Sequence, residues 1–389
     1  CIFYAKEVPM DDLPEKIELP VIRFDSKTTD YILKLEALRG KSLQGSTPVE
    51  WFVQLKNAFM MLESLLSSRI EGNHTTMAKY AVKMADSQNL PENANFTEEL
   101  KEISNIEKAI DFIERWYVEN TSIAIDEAFI FKLHALVVEG LTREGDDLDG
   151  YRATSVYIQN SSHEPPGAES VPGQMRYFVE FINREVSPKY DLLKIAVAHH
   201  RFVWIHPFAN GNGRTARLLT YAMLLKAFNF RHSHIVNPTA VFCSNRQEYY
   251  RLLNRADNLS DASVCEWCDY MLKGLAQEIE KVQQLTDVDY VKNKIFGPMV
   301  SLAYKNGQIT KDVARILNVA VDKVVFQASD IQPIFKETNS EISRRIRFML
   351  DARFIKKIRP DARKYCINLT SPIFPTLFDI LQQEDYFKE

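Results

Sequence analysis

Between residues 51 and 284 apolar side chains recur at intervals of three and four, a period that helices satisfy and strands do not. Phe52, Leu55, Phe59, Leu62 and Leu66 make one stripe within residues 51–68. Leu100, Ile103, Ile106 and Ile110 make another, with Thr97 at the position of an N-cap. Residues 97–118, 125–141, 173–186, 191–205, 214–228, 246–258 and 261–284 are expected as helices on the same grounds. The pattern breaks between residues 145 and 173, where glycines and Pro165–Pro166 surround a β-prone run at 155–159. A surface loop carrying a small hairpin is expected there, and long structured loops inside helical domains tend to be functional.

After residue 291 the texture changes. Short helices, a basic helix over SEISRRIRFMLDA and two strands around Asp361–Ala362 describe a winged-helix module, with 326–338 reading as an insertion before the basic helix. The expected class is mainly α with a small hairpin flap and a C-terminal winged helix. The expected segments are 1–95, 96–285 and 286–389. A chain of 389 residues with 46% hydrophobic residues can fill such cores.

Net charge is −4, so the field of the whole chain gives no reason for non-specific nucleic-acid binding. Cysteines at 1, 243, 265, 268 and 366 are odd in number and irregular in spacing, which suggests a reduced, cytoplasmic setting. Cys265 and Cys268 form a lone CxxC in a helical stretch, better read as helical core than as a zinc or redox site. No apolar run reaches membrane-span length and CIFYAKEVPMDD has no leader pattern. The start without Met fits a trimmed chain, with a lipid-bearing Cys1 as the alternative.

The chemistry concentrates in IHPFANGNGRTARLL, residues 205–219. Gly211 and Gly213 flank Asn212 at the start of a helix, where backbone N–H groups and the positive dipole end suit an anion. Arg214 and Arg217 are one turn apart and can lean toward the same oxygens. The arrangement describes a cradle for a di- or triphosphate. Two other phosphate motifs fail on context. Gly40-Lys41-Ser42 has Leu35 where a P-loop needs glycine, and the Gly211/Gly213/Ala216 spacing follows a helix instead of a strand. His206, at a corner set by Pro207 and Phe208, can take a proton from an attacking hydroxyl. His199 and His200 lack metal-ligand spacing and read as core or supporting histidines.

This string resembles the core motif HPFx[D/E]GNGRxxR of the Fic (Fido) family. Gly150-Tyr151-Arg152, residues 163–166 and Val171-Pro172 follow the same resemblance, which spans about residues 45–285. It implies an all-α fold and transfer of AMP from ATP to a Ser, Thr or Tyr hydroxyl of a protein, itself included. It implies that His206 is the base and that Asn210, Gly211, Asn212, Gly213, Arg214 and Arg217 hold ATP phosphates. Gly211, Asn212 and Gly213 would do so through backbone and side-chain donors. It further implies that Val156, Tyr157, Ile158 and Gln159 align the target as an added strand, and that Tyr249, Tyr250 and Asp257 border the adenine. Position 210 departs from the pattern. The family's acidic residue there holds Mg²⁺, and Asn210 keeps a carbonyl oxygen without the charge, so weaker metal binding is expected.

Ser67, Glu71 and Gly72 match the family's inhibitory motif [S/T]xxxE[G/N] in its N-terminal form. The resemblance implies that Glu71 pairs with Arg217 and blocks the γ-phosphate site. From 341 to 364 there are nine Arg/Lys against three Asp/Glu. Such a module suits DNA, an acidic protein or the protein's own catalytic domain. A homodimer stays open and no membrane partner is expected. The reading is an autoinhibited protein adenylyltransferase using ATP and Mg²⁺. The alternatives are a nucleotide- or DNA-responsive regulator with a weakened site, or an enzyme with another nucleotide reaction.

Overall fold

The stripes close as helices, and the two helices that flank the motif are buried almost all round. A computed structural model describes residues 16–39, 45–77, 79–80, 97–119, 124–141, 150–158, 161–228, 238–370 and 372–388. The chain divides into two compact units that interleave in sequence, a division that runs differently from the consecutive segments 1–95, 96–285 and 286–389.

The first unit takes residues 1–36, 108–229 and 247–274. Its helices are α1 (Lys27–Arg39), most of α3 (Glu98–Glu119), α4 (Glu127–Val138), α5 (Val171–Asn183), α6 (Asp191–Ile205), α7 (Asn212–Phe228), α9 (Arg246–Ala256) and the first half of α10 (Asp261–Gln284). α6 and α7 are the central pair, with α5 against α6 and α4 against α7. Their burial on every side explains why neither shows a strong one-sided stripe. Only six residues separate them, and that turn carries His206 to Gly211.

The second unit takes residues 37–107, 230–246 and 275–389. It holds α2 (Val49–Ile70), α8 (Pro238–Ser244), α11 (Gly297–Lys305) behind a π-helical turn Val291–Phe296, α12 (Lys311–Lys323), α13 (Ala328–Phe335) and α14 (Asn339–Asp351). It ends in β1 (Ile355–Lys357), β2 (Tyr365–Ile367) and α15 (Phe374–Gln383). One apolar core runs from Trp51, Leu55 and Leu62 on α2 through Phe296, Met299, Leu317, Ile346 and Leu377 to Tyr386. Trp51 meets Phe296 edge to face at 4.8 Å, and Phe59 meets Tyr386 at 5.4 Å. The buried Gln54 amide donates to the Ile367 carbonyl at 3.1 Å and accepts the Leu369 N–H at 2.9 Å. The α2 helix is therefore structurally part of the C-terminal unit.

Two expectations are corrected. The β-prone run forms no strand among the described residues 150–158, and Gln159 lies outside them. A lone strand without a partner has nowhere to place its backbone hydrogen bonds except solvent. The stretch 326–338 is no insertion. Phe326 exchanges two backbone hydrogen bonds with Tyr365, and α13 packs on α14. β1 and β2 pair antiparallel in the register Ile355–Ile367, so Phe326 lies on the far side of β2.

Replacing Gln54 with Ala strands a buried carbonyl and a buried N–H. The expected loss is about 1–3 kcal/mol of stability, read as a lower urea midpoint at unchanged slope.

Candidate functional site

The α6 helix ends because Pro207 cannot continue it, and His206 caps it in the left-handed region at φ 51°. Its N–H still bonds the Phe202 carbonyl. The Nδ1 of His206 lies 3.1 Å from the Val203 carbonyl, which can only accept, so Nδ1 carries the proton. In the neutral ring, Nε2 is therefore the basic nitrogen.

Phe208 wedges the turn in place. It stacks on His134 with centroids 3.7 Å apart and planes at 4°, and it adjoins Phe131, Tyr151 and Phe202. His134 Nε2 donates to the Asn210 carbonyl at 3.1 Å. Gly211 takes φ +73°, and a Cβ there would come within 2.9 Å of Val138 Cγ1. Only glycine meets both demands. Its carbonyl accepts the first α7 bond, from the Thr215 N–H. Gly213 and Arg214 lie in that first turn, whose N–H groups have no acceptor within the helix. Arg217 follows one turn later and is buried, 1% exposed.

Asn212 closes the turn through its side chain. Its carboxamide accepts the Phe208 N–H at 2.9 Å and donates to the Phe208 carbonyl at 2.8 Å. That side chain staples the turn with its oxygen and one of its two amide hydrogens. Tyr249 is also committed. Thr220 Oγ1 donates to the Ala216 carbonyl and so accepts from His199 Nδ1 at 2.8 Å. His199 Nε2 then accepts from the Tyr249 hydroxyl at 3.0 Å, and the Tyr249 ring abuts Trp267. Tyr250, 5.2 Å away, is exposed. Asp257 accepts from His200 Nε2 at 3.0 Å.

Arg152 does more than its place in a Gly-Tyr-Arg string suggested. Only 4% exposed, it donates to the carbonyls of His206 at 2.7 Å, Thr154 at 3.0 Å and Pro166, and its own N–H bonds the Pro207 carbonyl. One guanidinium thus ties the histidine corner to both ends of the loop. Val156 and Ile158 are half-buried, and Tyr157 is 88% exposed. His163 Nε2 donates to the Trp204 carbonyl at 2.8 Å and fastens the loop further along. His134 had no sequence signal at all. Ser67 is buried near the end of α2, Glu71 caps that helix on the surface, and Gly72 follows at φ +100°.

A Fic/DOC family model matches residues 124–224. The chain is 29% identical over 196 residues to a protein adenylyltransferase Fic of Nematostella vectensis, covering 49% of this chain and 42% of that protein. It is 29% identical over 191 residues to the protein of that name from Drosophila grimshawi, covering 48% and 36%. The match thus spans less than half of these relatives. A crystal structure of a Fic family protein from Desulfovibrio desulfuricans G20 superposes with TM-score 0.53 at 18% identity, covering 90% of this chain and 98% of that one. A Fic-domain signalling protein from Bacteroides thetaiotaomicron gives 0.51 at 18%, covering 67% and 97%. Both share the fold.

Burial holds His199 well below the ordinary imidazole range, helped by the nearby Arg217 charge, and burial also lowers His200 against the pull of Asp257. Unfolding lets both take up protons, so stability is full above about pH 6.5 and falls as the pH drops below it. Substituting His200→Gln should flatten that decline by up to about 1.4 kcal/mol per pH unit. Urea unfolding of both proteins between pH 7.5 and 5 measures it.

Proposed function

We propose that this chain, a Fic domain protein, transfers AMP from ATP to a Ser, Thr or Tyr hydroxyl of a protein, itself included. One observation carries the reading: His206 is fixed in the tautomer that leaves Nε2 basic, six residues before the first turn of α7. The attacking hydroxyl gives its proton to Nε2 and its oxygen bonds the α-phosphorus. The bond from that phosphorus to the bridging oxygen breaks, and pyrophosphate leaves. The N–H groups at the start of α7 face the phosphates, and Arg214 and Arg217 neutralise the outer ones. The stretch Val156 to Gln159 offers its backbone to the target as a strand partner. The names of the curated relatives support this reaction class.

Magnesium ions accompany ATP in such chemistry. The donor set does not fit a resident ion: Asn210 is neutral, and no group of three His, Cys, Asp or Glu gathers among the described residues. Any ion there would be held by the nucleotide phosphates. Asn210→Asp should lower the Mg²⁺ concentration giving half-maximal labelling. The neutral Asn210 also keeps alive a second reading, a nucleotide-responsive regulator. That reading requires ATP binding without labelled product under any condition.

The motif Ser67–Glu71–Gly72 supports a brake in which the Glu71 carboxylate occupies Arg217 and denies it to the γ-phosphate. A charge-assisted bond contributes about 1.5–3 kcal/mol, so Glu71→Gly should raise labelling from α-labelled ATP by about ten- to a hundred-fold. Adding His206→Ala to that variant should abolish labelling while fluorescent ATP still binds. Labelling that survives His206→Ala would remove the histidine from the mechanism.

A further inference from the structure

We infer that the face made by α14 and the β1–β2 hairpin binds the backbone of duplex DNA. The inference stands apart from the AMP-transfer reading and involves none of its residues.

The α14 helix has two unlike sides. Ile342, Ile346 and Met349, spaced as one helical row, are buried in the core of the second unit. Ser340, Ser343, Arg344 and Arg347 lie on the exposed side. The hairpin continues the charge, with Arg353, Lys356, Lys357, Arg359, Arg363 and Lys364 all exposed. Eight exposed cations thus fall within 21 residues of a chain whose net charge is −4. The acids in the stretch offset them only in part: Glu341 in a capping box with Thr338, Asp351 at 3.9 Å from Arg347 and Asp361 in the hairpin turn are three against eight.

Arg345 makes the argument sharper. It is bidentate to Glu337 at 2.7 and 2.6 Å, bonds Asp312 at 2.9 Å and lies over the Phe335 ring. The arginine facing inward is thus matched by two carboxylates, while its neighbours Arg344 and Arg347 face solvent. An α-helix of 13 residues is about 20 Å long, suited to the major groove, with a basic hairpin beside it to reach flanking phosphates. A protein partner would ask for an apolar centre with aromatic anchors, and this face offers Ser and Arg with the single exposed Phe348. Duplex RNA is a poorer fit, because its major groove is too narrow for side chains to read.

The test is fluorescence anisotropy of a labelled duplex of mixed sequence with the full chain. Binding should be micromolar and should weaken about 10²–10³-fold between about 50 and about 200 mM salt, as four to six phosphate contacts require. Arg344→Glu with Arg347→Glu should weaken it at least tenfold, and so should Lys356→Glu with Lys357→Glu, each checked for fold by circular dichroism. The same charge change on α3, Lys108→Glu with Arg115→Glu, should cost less than a third of that. No binding at the lowest salt, or binding insensitive to both pairs, overturns the assignment. Equal retention of poly-glutamate through the same residues also overturns it, and gives the face to an acidic protein.

Discussion

The reactive corner rests on one buried guanidinium. A non-glycine residue in the left-handed region carries about 1–3 kcal/mol of strain, and His206 is such a residue. Hydrogen bonds from a charged donor contribute about 1.5–3 kcal/mol each. Arg152 makes them to the His206, Thr154 and Pro166 carbonyls at once. The sum is large enough to hold the strained conformer, and the same atoms fix the start of the exposed loop relative to the imidazole. Phe208 and Asn212 complete the restraint, one by filling the space under the turn and the other by closing its backbone. The corner is thus held by the chain's own contacts, as the proposed role of His206 as a base requires.

The helices were legible because their period comes from burying one side, and that physics is local. The ends of α6 and α10 fall where the stripes and breakers put them. The turn before α7 was legible for a related reason: glycine at 211 answers a conformational need that few other residues can meet. What the sequence hid depends on contacts far apart in the chain. Nothing near Gln54 announces that its amide closes on Ile367 and Leu369, more than 300 residues on. Likewise only the folded turn reveals that the Asn212 carboxamide bonds both the N–H and the carbonyl of Phe208.

The run at 155–158 illustrates a different limit. Its composition is that of a strand, and composition was read as pairing. Pairing needs a partner, and the described residues provide none. On the proposed reading, a target backbone would supply the missing strand partner. The failed hairpin expectation and the proposed target alignment therefore have one physical origin.

The location of α2 limits how a brake on it could work. Its inner side is locked by Trp51 on Phe296, by the Gln54 bonds and by Phe59 on Tyr386. The last turn is no looser, since Ser67, Ser68 and Ile70 are buried. Carrying the helix away would expose several large side chains at about 1.5–3 kcal/mol each, more than one ion pair could return. Compliance begins at Glu71, which is exposed, and at Gly72, where an added Cβ would meet nothing within 4 Å. On the proposed inhibitory reading, release then proceeds by the Glu71 side chain turning aside while α2 stays in its core. Hydrogen exchange should accordingly find the amides of 52–68 equally protected in the wild type and in Glu71→Gly. Faster exchange along α2 in the variant would mean that the helix itself moves.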